Sequence, residues 1–203
     1  MKKLYSFDDL TDKAAEKAVD EVRDIIYNSE THVERYDMWI SMKKFLDAVG
    51  YNLSIYDYKL ERGDVSFDIR NLHKLSDIAG SRLLRWWNRF EDKYLITEKR
   101  YLKYNFKGSL HSKVFKDRYS EPFTGSEYDR YILMPIYDFW KDYRDYWSKK
   151  SLKDLVDECI KNAEKEFDEM LEYLYSDDNI YARMDAYNED FLFYKDGTLA
   201  KQL

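Results

Sequence analysis

Cysteine, proline and glycine are all scarce in this chain. Its 203 residues include one Cys, two Pro and six Gly. The single cysteine, Cys159, excludes an internal disulfide and a zinc site built from several thiolates. So few turn-forming residues argue against a flexible linker and against an all-β fold with many tight turns. Because 44% of the chain is apolar, we expect one domain over residues 1–203 with its own hydrophobic core.

Long apolar segments are also missing. No stretch reaches the roughly 20 apolar residues that a membrane-spanning helix needs. The charged residues at the N-terminus are not followed by the apolar core of a signal peptide. Together with the lone thiol, these absences predict a cytoplasmic protein with no membrane partner.

Motifs for catalysis and for cofactor binding are equally sparse. His32, His73 and His111 are far apart, and none lies in an HxxxH or HExxH pattern. The sequence has no phosphate-binding glycine loop and no context for a serine or cysteine nucleophile. We therefore predict no metal and no cofactor, and the sequence favours a binding protein over an enzyme.

The net charge of −6 is unevenly distributed along the chain. Between Arg82 and Arg118 there are eleven Lys and Arg against four Asp and Glu. Between Ser151 and Asp190 there are thirteen acidic residues against four basic ones. The sequence therefore predicts a molecule with a basic middle and an acidic C-terminal third.

Hydrophobic periodicity changes twice along the chain. A helical period predicts helices over residues 11–27, 33–49, 76–94 and 151–175, and another through the 130s and 140s. Strict alternation on both sides of Glu61–Asp64 predicts a β-hairpin within Tyr51–Arg70. We expect a single α+β domain in which a small antiparallel sheet, built on this hairpin and later strands, packs against four or more helices.

The third predicted helix has a basic face. Its four cations have helical spacing, i, i+3, i+7 and i+11, and Trp86 lies among them: Arg82, Arg85, Arg89 and Lys93. Guanidinium groups beside an aromatic ring are typical of a surface that binds phosphates and stacked bases. We expect an exposed stripe with Trp86 at least partly accessible. The alternative is a solvated helix face that pairs with Glu91 and Asp92.

Basic residues continue beyond this helix, interleaved with aromatic ones. Lys103, His111 and Lys113 belong to this segment, near Tyr101 and Tyr104. The mixture suits single-stranded RNA, and it equally suits an ordinary exposed strand. The predicted nucleic-acid or partner site therefore comprises Arg82, Arg85, Trp86, Arg89, Lys93, Lys103, His111 and Lys113.

The acidic C-terminal third allows a second interpretation. Its helix bears a group of carboxylates that could mimic a phosphate backbone and occupy a channel lined with Lys and Arg: Asp154, Asp157, Glu158, Glu164, Asp168, Glu169 and Glu172. They are spread around the helix, and Lys153, Lys161 and Lys165 interrupt them. An ordinary solvated helix face is the simpler explanation.

Two short segments hold the best candidates for catalysis that the sequence offers. Asp64 and Asp68, the latter followed by Ile69-Arg70, resemble the strand carboxylates of a metal nuclease, but arginine stands where such enzymes carry lysine. His111 with Lys113 is the other pair. Either pair would serve a ribonuclease.

Three segments in collinear order resemble a family of accessory proteins of phages and other mobile elements, and together they cover about half of the chain. They are Tyr5–Thr11 leading into Ala14, Ala15 and Ala18; Phe123–Asp129 followed by Ile132–Ile136; and Glu166–Asp178 with Ala186–Phe191 and Asp196-Gly197. Some proteins of this size and character look like anti-CRISPR inhibitors of type II-A Cas9. The segment Arg82–Tyr119 departs most from the pattern, so a protein-specific function would lie there.

The resemblance implies a counter-defence viral protein in the cytoplasm of a bacterial host. Its partners would be Cas9, the guide RNA or both, and it would act as an RNA-binding or protein-binding inhibitor. One alternative is a ribonuclease, or a cofactor of one, that truncates the guide RNA. Another is a phage accessory protein without a defence role.

Overall fold

The computed structural model describes residues 3–102, 110–115, 121–141, 150–186 and 191–202 of the chain. This part contains five α-helices and six β-strands. The helices are α1 (Asp12–Val49), α2 (Gly80–Phe90), α3 (Tyr128–Lys141), α4 (Leu152–Tyr175) and α5 (Asp177–Ala186). The strands are β1 (Ser54–Glu61), β2 (Asp64–Arg70), β3 (Ile96–Leu102), β4 (Leu110–Phe115), β5 (Phe191–Phe193) and β6 (Leu199–Gln202). The predicted α+β class, with antiparallel pairing and at least four helices, is confirmed.

Each strand in the described part of the chain forms its ladder with a neighbour in sequence. Within the described ranges, β1–β2, β3–β4 and β5–β6 form three separate two-stranded sheets. The sequence predicted one small sheet that would join the hairpin to later strands, and in this detail the structure differs. Strands that follow each other closely in sequence readily pair as antiparallel hairpins, because a two-residue turn is enough to reverse the chain. Gly63, with φ of 74°, supplies the left-handed residue of the β1–β2 turn.

Helix α1 replaces the two helices predicted over residues 11–27 and 33–49. The intervening residues contain no proline or glycine to end the first helix. Their hydroxyls bond back to the helix instead: Ser29 Oγ donates to the Ile26 carbonyl at 3.2 Å, and Thr31 Oγ1 donates to the Tyr27 carbonyl at 2.5 Å. Gly50 follows the last helical residue with φ of 87°, as expected of a C-terminal cap.

The chain groups into two compact units by its internal contacts. The first comprises Met1–Tyr36, Glu61–Gly63 and Asp168–Leu203, and the second comprises Asp37–Leu60 and Asp64–Phe167. The extent of the predicted single domain, residues 1–203, stays a prediction.

The first unit is built around a small apolar cluster. Tyr5 forms an antiparallel bridge with Phe193, and each residue's amide donates to the other's carbonyl, at 2.9 and 3.0 Å. The buried cluster draws on the first half of α1, on α5 and on β5: Ala18, Val19, Val22, Ile26, Ile180, Met184, Phe191 and Phe193. Gly197 is required here, because a Cβ at this position would lie 2.0 Å from the Ala14 carbonyl oxygen.

The second unit has an aromatic core. Trp87 meets Phe139 at 5.7 Å between ring centroids, and Tyr128 meets Phe167 at 5.5 Å. Pro135 lies inside α3 and cannot donate to the Tyr131 carbonyl four residues earlier. Asn162 of α4 supplies the missing donor, because its Nδ2 bonds that carbonyl at 2.8 Å. Among the residues described, no helix is long and apolar enough to cross a membrane.

Candidate nucleic-acid interface

Helix α2 has one apolar face and one charged face. Its apolar face is fully packed: Leu83, Trp86, Trp87 and Phe90 are buried. The Trp86 and Phe90 rings stack with centroids 4.9 Å apart. Such aromatic packing contributes area burial as well as ring–ring attraction, so it anchors the helix firmly in the second unit.

Trp86 is not part of an exposed platform, and that prediction was wrong. Only 4% of its surface is exposed, and its indole Nε1 donates to the Val49 carbonyl at 3.1 Å. The indole therefore satisfies a carbonyl at the end of α1 that has no partner within that helix. The sequence placed Trp86 among the arginines, but a residue one position after Arg85 is turned by about 100° around an α-helix, enough to bring it to the core.

The four predicted cations are exposed, as expected from their spacing. Arg82, Arg85, Arg89 and Lys93 form what we call the basic face. Across the part of the chain that the structure describes, no ion pair joins any of the four to a carboxylate. Arg89 Nε donates to the Arg85 carbonyl at 3.4 Å, and Lys93 Nζ lies 4.9 Å from the Tyr94 ring centroid. The exposure of this face also fits the alternative of a solvated helix face, but no described ion pair joins the four cations to Glu91 or Asp92.

The basic face is not a regular α-helical stripe over its whole length. The α-helix ends at Phe90, and Glu91–Leu95 form a π-helical turn. Arg82 and Arg89 are seven residues apart, about 10 Å along the axis. Lys93 lies in the π turn, where the wider winding changes its direction from the one predicted.

The remaining predicted site residues lie beyond α2. His111 and Lys113 belong to β4, where the backbone register sets His111 opposite Tyr101 and Lys113 opposite Lys99. Lys103 is outside the described residues. The structure thus brings together the four cations of α2 and the π turn, and it establishes no contact between them and the other three predicted residues.

A cleft of about 480 Å³ adjoins the basic face, and sequence reasoning missed it. Arg89 and Lys93 line one part of this cleft, and Asp47 and Tyr51 line another. The signal that could have revealed it is the Gly50-Tyr51-Asn52 sequence after α1, where an aromatic residue follows a helix-capping glycine.

The carboxylates of α4 accept hydrogen bonds or form ion pairs within the protein. In the first unit, Asp168 Oδ1 accepts from the Gly63 amide at 2.7 Å, and Glu172 pairs with Arg62 at 3.6 Å. In the second unit the partners are again local ones: Glu164 Oε1 with the Phe67 amide at 2.8 Å, Glu158 with Lys150 at 2.6 Å, and Asp157 with Lys153. A phosphate mimic needs acids that are available to a partner, so this pattern is evidence against the mimic hypothesis.

Two of these carboxylates have shifted pKa values with opposite causes. Burial raises the pKa of Glu164, against the lowering effect of the Phe67 amide and Lys161. Hydrogen bonds from the Ser151 amide and hydroxyl lower the pKa of Asp154. Asp154 and Ser151 form the predicted capping box, since the Asp154 amide donates back to Ser151 Oγ at 3.2 Å.

The candidate carboxylates for metal catalysis are far apart. Asp64 and Asp68 are four residues apart on β2, which corresponds to about 13 Å along a strand. Asp64 is paired with Lys59 at 2.8 Å. In the described ranges, no group of three or more His, Cys, Asp or Glu side chains is arranged to hold a metal ion. His32 and His73 are exposed and lie in α1 and in a short 3₁₀ turn.

The segments that carry the family resemblance have structural roles. In Phe123–Asp129, the buried Asp129 carboxylate accepts from the Phe123 and Thr124 amides, both at 2.7 Å, and so fixes the turn before α3. Ser176 caps α5 by accepting from the Asn179 amide at 3.3 Å. Tyr5 and Gly197 build the first unit, as described above. Tyr187–Asp190 lies outside the described residues.

The described residues of these three segments therefore form helix caps, a turn and a strand pairing. The basic face and the cleft lie outside those motifs. No family model, no curated protein and no solved structure matches this chain.

Proposed function

We propose that this chain is a binding protein that holds RNA on the basic face of α2. The observation that carries the proposal is the set of four exposed cations that have no carboxylate partner within the described ranges. Exposed charges contribute little to stability, so their arrangement needs another explanation. Guanidinium and ammonium groups bind phosphates through charge-assisted hydrogen bonds, and a row of them along a helix follows a phosphate backbone.

The target in this proposal is the guide RNA of a Cas9-type nuclease, alone or assembled with Cas9. The support is the resemblance to accessory proteins of mobile elements, some of which look like Cas9 inhibitors. By holding the guide RNA, the chain would block DNA cleavage in the cytoplasm of a bacterial host. Because the basic face lies in the segment that departs from the family pattern, it is the place for a function particular to this protein.

The first experiment measures RNA affinity against salt concentration with fluorescently labelled guide RNA. Four phosphate contacts on a single strand predict a slope of log affinity against log salt of about −2.8. The double variant Arg85→Glu, Arg89→Glu should weaken binding at least about tenfold. The matched control, Asp168→Asn with Glu172→Gln, removes two charges of α4 and should leave binding nearly unchanged.

If the α4 variant alone lost its inhibition of DNA cleavage by Cas9, that result would support the acidic mimic instead. A second experiment then separates the remaining alternatives. Cas9 cleavage of target DNA is measured with this protein present, and the guide RNA is examined on a denaturing gel. Intact RNA with blocked cleavage supports the proposal. Shortened RNA would identify a ribonuclease, and unimpaired cleavage would favour an accessory protein without a defence role.

A further inference from the structure

The cleft beside the basic face combines cations, a carboxylate and aromatic rings. Its volume is about 480 Å³, and its lining includes Arg89, Lys93, Asp47 and Tyr51, with Trp86 and Tyr94 among the aromatic residues. All of these belong to the second unit. Arg89 and Lys93 are shared with the basic face, so a polyanion on that face passes the opening of the cleft.

The turn that carries Tyr51 is held in an unusual conformation. Gly50, Tyr51 and Asn52 all have positive φ, at 87°, 62° and 55°. Only the glycine adopts this region without cost, and two successive non-glycine residues there are uncommon. Asn71 Nδ2 donates to the Asn52 carbonyl at 2.8 Å and so helps to hold the turn. Backbone strain of this kind is concentrated at ligand sites.

Tyr51, on this strained turn, is exposed to solvent. Its side chain is 41% exposed, although the neighbouring aromatic residues Trp86 and Phe90 are buried. An exposed tyrosine beside two cations is the arrangement by which proteins hold an unstacked base, because the ring stacks on the base and the cations bind its phosphates.

We infer that the cleft binds one unstacked base of the RNA held on the basic face, with Tyr51 stacking on the base. Arg89 and Lys93 contact the flanking phosphates. This inference rests on the proposed function and deepens it, because a cleft for a single base requires single-stranded or looped RNA rather than a continuous duplex. Trp86, which the sequence offered as the stacking residue, is replaced in that role by Tyr51.

Asp47 gives the cleft a preference among bases. Its carboxylate is exposed, and in the described part of the chain it has no ion pair. A carboxylate accepts hydrogen bonds from the exocyclic amino group of cytosine. Uracil carries a carbonyl oxygen at the same position, which a carboxylate repels. The cleft should therefore prefer cytosine to uracil.

The test uses fluorescein-labelled ten-residue oligocytidylate and oligouridylate. Tyr51→Leu should weaken oligocytidylate binding about fivefold or more, since stacking on an aromatic side chain is lost. The matched control is Tyr56→Leu, which removes another exposed tyrosine of the second unit, on β1. It should change affinity less than about twofold. Tyr51→Trp should retain binding, and Asp47→Asn should abolish the preference for oligocytidylate.

The outcomes separate the inference from the function on which it rests. If the wild-type protein binds neither oligonucleotide nor guide RNA, the proposed function is wrong and the inference is wrong with it. If the wild type binds RNA and Tyr51→Leu binds equally well, the cleft does not hold a base, and RNA binding by the basic face stands. Circular dichroism of each variant verifies that the helices are retained.

Discussion

The basic face of α2 and the acidic helix α4 carry their charges in opposite ways. The four cations of the basic face are exposed and have no carboxylate partner in the described part of the chain. On α4, by contrast, Asp168, Glu164 and Asp154 accept backbone hydrogen bonds from other segments or from their own helix cap. Charge density in the sequence therefore does not identify a binding surface. What matters is whether the fold already uses the charges.

The largest expected effect is on the free energy of unfolding, and it concerns Trp86, which packs the helix of the basic face into the core. Trp86→Ala should lower the free energy of unfolding by about 3–5 kcal/mol, because it removes a buried indole and leaves a cavity. The Val49 carbonyl would also lose its donor. Urea denaturation followed by circular dichroism measures the change. Arg85→Ala, one residue away on the exposed side, should stay within about 0.5 kcal/mol of the wild type. Equal effects of the two substitutions would contradict the two-faced description of α2.

The next effect tests whether the α4 acids are structural. Glu164→Ala should cost about 1–3 kcal/mol, because the Phe67 amide loses its acceptor in a half-buried place. Glu164→Gln keeps an acceptor oxygen and should be milder. If Glu164→Ala lowered the free energy of unfolding as little as Arg85→Ala does, the acids of α4 would contribute no more to the fold than the cations of α2. The contrast between the two helices would then be wrong.

The same pair of variants has a defined pH dependence. Burial raises the pKa of Glu164 in the folded state above its unfolded value, so the folded state binds the proton more tightly. This contribution to stability is present below the unfolded pKa and is lost as pH rises through the folded pKa. Glu164→Gln should therefore show a smaller fall in stability than the wild type when pH is raised from 4 to neutrality. Parallel stability–pH curves would contradict the assignment.

Sequence patterns predicted the fold well where the signal was local. The β1–β2 hairpin, the capping box of Ser151 and Asp154 and the basic spacing on α2 follow from neighbouring residues. The joining of two expected helices into α1 was missed, because hydroxyl groups of Ser29 and Thr31 can either cap a helix or bond back to it. The burial of Trp86 was missed because its partner carbonyl, that of Val49, is 37 residues away.

The candidate site was predictable only in part, for a similar reason. The exposure of Arg82, Arg85 and Arg89 followed from helical spacing alone, whereas Lys93 is exposed in a π-helical turn. The sequence could not show that acids of α4 accept hydrogen bonds from the amides of Gly63 and Phe67, because these amides approach α4 only in the folded chain. The cleft at Tyr51 depends on a left-handed turn, and a tyrosine gives little indication that it will adopt one.

The smallest expected effect is on stability, and it compares one cation near each end of α2. Measured together with RNA affinity, it separates the role of each cation in the fold from its role in binding. Arg82 is the third residue of the helix, and the first turn contains no acidic residue. A cation there opposes the helix dipole, whereas Arg89 in the last turn complements it.

Arg82→Gln should therefore raise the free energy of unfolding by about 0.3–1 kcal/mol at low salt, and Arg89→Gln should lower it by a similar amount. Both changes should vanish near 1 M salt, where the screening length is about 3 Å. If the proposed function is correct, both variants should nevertheless bind RNA less tightly, because each loses one of the proposed phosphate contacts. If Arg82→Gln instead destabilised the chain without any dependence on salt, Arg82 would be a structural residue, and the proposed RNA interface would lose one of its four cations.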